Sequence, residues 1–265
     1  MSNLIIRLPI TVPNAKYKID PNDIVNVSDI VNYPDVRYYF DFSVGDSVAS
    51  DGRKLLPTNG NLPLTYRNGG LVLASKAQGG YVIDGLKESL FVDGYTILTS
   101  IKIPNGTTVA AGIMLLMNFY ANGSTAANYA AFSWHFSNNI LNFYGTINNV
   151  EYTLLTVNLP ISGGKFTQDF YATVGQTSNP LTKTITAFLR TNLASDVKKN
   201  AVVMSQTPVY SETIMANIGS AFTGSGGNSN GALDYIITES FLDVVPRLDE
   251  DVVNLVKEAY LRNFG

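Results

Sequence analysis

From Val36 onward, apolar and polar positions alternate with a period of two. The stretch Tyr95–Ile103 reads YTILTSIKI. It puts Ile97, Thr99, Ile101 and Ile103 on one face and Leu98, Ser100 and Lys102 on the other. Residues 129–136 read YAAFSWHF. Phe132, Trp134 and Phe136 share one face there, and Tyr129, Ala131, Ser133 and His135 share its opposite. Residues 170–174 and 184–189 alternate in the same way. This pattern predicts strands with one buried face, with Trp134 in the core between sheets and the His135 face free to be open.

Asx-Gly pairs separate the runs: Asp51-Gly52, Asn59-Gly60, Asn68-Gly69, Asp84-Gly85, Asp93-Gly94, Asn105-Gly106 and Asn122-Gly123. Such pairs supply the positive φ of tight hairpins, and their spacing suggests a sandwich or barrel. The Gly224-Ser225-Gly226-Gly227 stretch that runs on to Gly231 reads as an exposed loop. One helix is expected, at the C-terminal end. Asp249 is its N-cap, Leu248 staples onto Val253, and Val252, Leu255, Val256, Ala259 and Tyr260 fall at helical spacing. Residues 1–35 differ: Pro9, Pro13, Pro21 and Pro34 interrupt short apolar pieces, which reads as an extended arm or an opening edge strand.

Composition narrows the function. Charged residues are only 15% of the chain, against about 25% in typical proteins, so uncharged polar groups must solvate the surface. Net charge is −3, which argues against a general nucleic-acid partner. There is no Cys and one His, which removes disulfides, thiolate metal sites and any site needing two histidines. The apolar run 109–120 is too short to span a bilayer. No secretory signal precedes Pro9. The expectation is a chain made in a cytoplasm that leaves it without a cleaved signal.

The order of pieces resembles the concanavalin A-like, laminin G-like jelly-roll superfamily. The likeness rests on Tyr38-Tyr39-Phe40-Asp41-Phe42 with Gly45-Asp46 to Asp51, on Tyr95–Ile103, on Gly231-Ala232-Leu233-Asp234-Tyr235-Ile236-Ile237, and on the terminal segment 248–260. Tyr235 stands where the family has an acidic residue, and the family's x-W-H-x-V-A strand is only faint at 164–172, so no ligand set carries over by position. The resemblance implies an all-β fold: a two-sheet antiparallel jelly-roll sandwich over residues 36–265 with a short C-terminal helix, preceded by the arm 1–35. Its members include lectins, adhesion modules and glycan-cleaving enzymes, and fold alone does not choose among them.

Catalysis finds little support. The family's E-x-D-x-x-E pair is absent, and Glu239 with Asp243 is the nearest approach to two carboxylates on one strand. Sugars stack on aromatic rings and bond to amides and hydroxyls, so the ligand-binding residues expected are Tyr120, Asn122, Tyr129, His135, Tyr144 and Asn148. The rim loops 120–128 and 222–231 are the other expected contact points. Asp46, Asp51, Asp84, Asp93 and Asp234 are oxygen donors of the kind Ca²⁺ takes, but without a D-x-D-x-D loop they read as Asx turns; no cofactor is expected. Low charge, absent Cys and the Pro-punctuated arm look like a bacteriophage virion protein. The expected function is therefore a non-catalytic protein on the virion surface (tail or capsid) that recognises a glycan or host receptor. The arm would dock on other virion subunits, and a homo-oligomer is compatible with this. A purely structural decoration protein and a glycan hydrolase or lyase are the alternatives.

Overall fold

A computed structural model describes residues 36–45, 52, 54–57, 64–73, 80–83, 93–109, 113–121, 130–137, 139–147, 150–204, 214–219, 235–243 and 245–265. Side chains are described for all of these except 36–38, 80, 82–83, 113–121, 130–131 and 214–219. The arm 1–35, the loop 222–231 and the Asx-Gly pairs at 59, 84 and 122 lie outside the described residues.

Two antiparallel sheets form the sandwich. The first runs β1 (Val36–Asp41), β16 (Tyr235–Asp243), β5 (Tyr95–Ile103), β12 (Phe170–Asn179), β13 (Thr184–Thr191) and β14 (Lys198–Val203), with β3 (Leu71–Leu73) also pairing β16. The second runs β2 (Leu55–Pro57), β4 (Gly80–Ile83), β15 (Ile214–Gly219), β6 (Ile113–Ala121), β7 (Ala130–Ser137), β8 (Ile140–Ile147) and β9 (Val150–Asn158). A small hairpin joins β10 (Ile161–Ser162) to β11 (Lys165–Phe166). The one α-helix among the described residues, α1 (Asp249–Phe264), packs on β12, β13 and β5.

The alternation places the core as expected. Phe132, Trp134 and Phe136 from the second sheet meet Ile97, Ile101, Phe170 and Val174 from the first, all buried between the sheets. The Trp134 indole N–H crosses the sandwich and donates to the Gly175 carbonyl at 3.2 Å. Gly94 shows why the Asx-Gly turns need glycine: its φ is +100°, and a Cβ there would sit 2.3 Å from the Ser178 carbonyl oxygen.

Sheet one differs from a strand set with one buried face. All nine residues of β16 are buried, and eight of nine in β5. The reason is a third layer: α1 covers the outer face through Val252, Leu255, Val256 and Ala259, packed on Leu98, Phe188 and Phe241. Gly175 lies under the helix, where a Cβ would come within 3.2 Å of Val256.

The start of the helix also corrects the expectation. Asp249 is the first helical residue, and Leu248, in extended geometry and without a side-chain cap bond, is the N-cap. Leu248 is 72% exposed, so it does not staple onto Val253. Asp249 instead pairs with Lys199 of β14 at 3.3 Å. Asp249, Glu250 and Asp251 still occupy the first turn, where the helix dipole favours acids.

Candidate functional site

Register across sheet one sorts its helix-side face into rows. Tyr39, Phe241, Leu98, Gly175 and Phe188 stand side by side and form the apolar floor under α1. Two residues along, Asp41, Glu239, Ser100, Thr173 and Arg190 form a row of polar side chains. The Ser100 hydroxyl joins Thr173 at 2.9 Å. Beyond them Lys102 stands beside Tyr171. The last turn of α1 lies over this polar end of the sheet, and a cavity of about 490 Å³ forms between them.

Arg262 closes one wall. Its Nε donates to Glu239 Oε2 at 3.1 Å and its Nη2 to Oε1 at 2.9 Å, a fork that suits guanidinium and carboxylate. The Tyr39 hydroxyl donates to the same carboxylate at 3.2 Å. Burial, reinforced by the Glu239 charge, pushes the Tyr39 phenol well above its ordinary range. Burial on its own would lower the Arg262 guanidinium, but the Glu239 carboxylate and its hydrogen bonds hold it above its usual value. These acidic and phenolic groups are therefore committed to one another.

Aromatic rings and a cation form the other wall. Phe264 stacks on Tyr171 with centroids 4.9 Å apart and planes 9° apart. Lys102 Nζ lies 5.7 Å from the Tyr171 ring centroid. The Tyr171 hydroxyl donates to Asp169 at 2.8 Å, and the Asn105 backbone N–H donates to the other oxygen of that carboxylate at 2.7 Å. That backbone bond, followed by the Tyr171 bond, holds Asp169 below the ordinary carboxylate range. Asp41, also on the lining, accepts from the Ser43 backbone N–H at 2.9 Å and from its hydroxyl.

The residues expected from sequence lie on the far side of the sandwich. His135 and Tyr144 occupy neighbouring strands on the outer face of sheet two and meet edge to face, with centroids 5.7 Å apart. Tyr144 is half-buried, but His135 is only 7% exposed. The side chain of Tyr120, together with Asn122, Tyr129 and Asn148, lies outside the described residues. The sequence reading missed the cavity because Glu239 registered only as half of an acid pair, and nothing in the sequence joins it to Arg262 on the terminal helix.

That acid pair is structural. Glu239 is held by Arg262, and Asp243 is held by Arg247 at 2.7 Å. One arginine precedes α1 and the other sits in its last turn, so β16 clamps the helix at both ends. Among the described residues no group of three or more His, Asp or Glu is placed to hold a metal ion, and no helix is long and apolar enough to cross a membrane.

Burial lowers the titration of His135 below its ordinary value. The unfolded chain then binds a proton from about pH 6.5 downward while the folded chain still resists it. Stability from this group is complete above that pH and falls as pH drops, by at most about 1.4 kcal/mol per unit. Because His135 is the single histidine, the expected result is a urea midpoint that declines between pH 7 and pH 5 more steeply in the native chain than in His135→Asn. Parallel pH profiles would refute the assignment.

No protein-family profile matches this sequence, nor does any curated protein. Solved structures do. The chain is similar to the binding domain of Botulinum Neurotoxin DC in complex with SialylT, with TM-score 0.55 and 13% identity over 84% of this chain and 51% of that one. It is similar to the botulinum neurotoxin serotype D binding domain, with TM-score 0.52 and 11% identity over 84% and 51%. A structure of botulinum neurotoxin type C, whose cell entry depends on interaction with two ganglioside molecules, gives TM-score 0.53 and 14% identity over 87% and 52%. This chain thus spans about half the length of the domains it resembles. At such low identity the likeness concerns architecture, and it identifies the chain as an all-β antiparallel sandwich of the kind these toxin binding domains contain.

Proposed function

We propose that this protein is a non-catalytic recognition module for a cell-surface glycan or glycan-bearing receptor. The cavity beside the last turn of α1 carries the reading. Its buried carboxylate is locked to Arg262, and its Asp41 caps its own turn. What faces a ligand is therefore an assembly of ring edges, hydroxyls, amides, the single Asp41 carboxylate and one ammonium group, suited to holding a polar molecule rather than to the paired-carboxylate cleavage of a glycosidic bond. The architecture shared with toxin binding domains supports the same reading.

The finer setting follows from composition. A surface built on uncharged polar side chains, together with a proline-punctuated arm at 1–35, supports a laminin G-like jelly-roll domain (36–265) carried on a bacteriophage particle. The arm would be docked on other virion subunits and the sandwich would face the host. Several copies on one particle would raise weak single-site binding to useful avidity.

The test is binding of the purified full chain to a glycan array and to whole bacterial cells. Specific glycan binding that falls at least about tenfold in Phe264→Ala, which removes one ring of the cavity wall, supports the reading. Binding unaffected by that change, or no glycan binding at all, defeats it. Release of new reducing ends from a bound polysaccharide would show an enzyme instead.

A further inference from the structure

A second cavity, of about 210 Å³, lies on the same face of sheet one, lined by Arg67, Pro104, Thr107, Thr108, Tyr235 and Ile236 among others. Three separate pieces of chain run from the first cavity into the second. At the end of β5, Lys102 lines the first, and Pro104, just past the strand, lines the second; two residues of extended chain span about 7 Å. On β16, Thr238 and Glu239 line the first, and Tyr235 and Ile236 the second. The turn before β3 does the same, with Asn68 and Gly69 on the first and Arg67 on the second. That turn is held in shape by the Arg67 N–H to Gly70 carbonyl bond at 2.9 Å and by positive φ at Asn68 and Gly69. Ile236 of the second hollow stands in register beside Lys102 of the first, so the two hollows adjoin on the sheet.

Charge along this groove is uneven. Glu239 is offset by Arg262, whereas Asp41 is held by hydrogen bonds from Ser43 and keeps its charge, and Lys102 also acts on Asp169 beyond the Tyr171 ring. The cations Lys102 and Arg67, one in each hollow, are in no ion pair with any described residue. Arg67 is exposed and Lys102 half-buried.

We infer that the two cavities are successive subsites of one groove that takes an acidic oligosaccharide, a chain of sugars bearing carboxylates, with Lys102 and Arg67 each facing an anionic unit. This rests on the glycan-binding reading above and narrows it. A single sugar would occupy one hollow and meet one cation. A longer chain would meet both, and the second contact costs little once the first has formed.

The test is calorimetric titration of the full chain with two size series: galacturonic acid and its dimer and tetramer, and glucose, maltose and maltotetraose. Tetragalacturonate is expected to bind at least about tenfold more tightly than galacturonic acid and more tightly than maltotetraose, and to weaken as salt is raised. Arg67→Gln, at an exposed position, should bring the affinity for the tetramer close to that for the monomer. Equal affinity for monomer and tetramer, equal affinity for the acidic and neutral tetramers, or no binding of tetragalacturonate overturns the inference. If the array and whole-cell assays still register glycan binding, only the inference falls. If they register none, the reading beneath it falls as well.

Discussion

Arg262→Met is expected to destabilise the protein by about 3–5 kcal/mol, the range for removing one partner of a buried ion pair. Glu239 has 3% of its side chain exposed, and its carboxylate takes both donors of the Arg262 fork. Without the guanidinium, a charge stays buried against the Tyr39 and Ser100 hydroxyls with its ion-pair partner gone. For a chain of this size the melting temperature should fall on the order of 10 °C. Adding Glu239→Gln removes the stranded charge while keeping an acceptor for both hydroxyls. The double variant should therefore recover most of the loss, and the double-mutant cycle should give a coupling energy well above that of an exposed pair. If the double variant is as unstable as the single one, Arg262 acts by packing rather than by neutralising Glu239.

Trp134→Ala is expected to cost a similar 3–5 kcal/mol, as aromatic truncation in a core does. Trp134 is fully buried, its ring lies 5.1 Å from that of Phe143, and its N–H reaches across the sandwich to Gly175. Trp134→Phe keeps most of the volume and loses the cross-sheet hydrogen bond with the remainder of the indole, so it should cost less, about 1–3 kcal/mol. Urea unfolding followed by circular dichroism measures both, since these variants lack the single tryptophan that would otherwise serve as the fluorescent probe. Equal losses in the two variants would assign the effect to the hydrogen bond rather than to the packed volume.

Trp134 was legible because an apolar face on an alternating strand has one natural destination. The body of α1 was legible for a related reason: Val252, Leu255, Val256, Ala259 and Tyr260 repeat at helical spacing, and all five are buried. The helix start was harder to read, because Asp249 suits a cap and a first turn equally well. The row Glu239, Ser100 and Thr173 could not be read as buried. A polar side chain under a helix and one facing water look the same in sequence. What separates them is a partner, and the Tyr39–Glu239 bond joins positions 200 residues apart. The cavity exists only where those distant pieces meet, which is why the sequence pointed instead to the aromatic strands around His135.

Strand order also governs how the protein can be made. β16 lies between β1 and β5 in sheet one, although both precede it by much of the chain. The Thr238 hydroxyl bonds to the Ser100 carbonyl across 138 positions. At roughly 5–20 residues per second, a ribosome needs about 7–30 s to extend the chain over that interval. Throughout it, β1 and β5 are both in existence and neither has its shared neighbour, so their open edges and the apolar side chains meant for the core are available to other chains. Slower synthesis or less chaperone cover during that interval is therefore expected to lower the yield of folded protein.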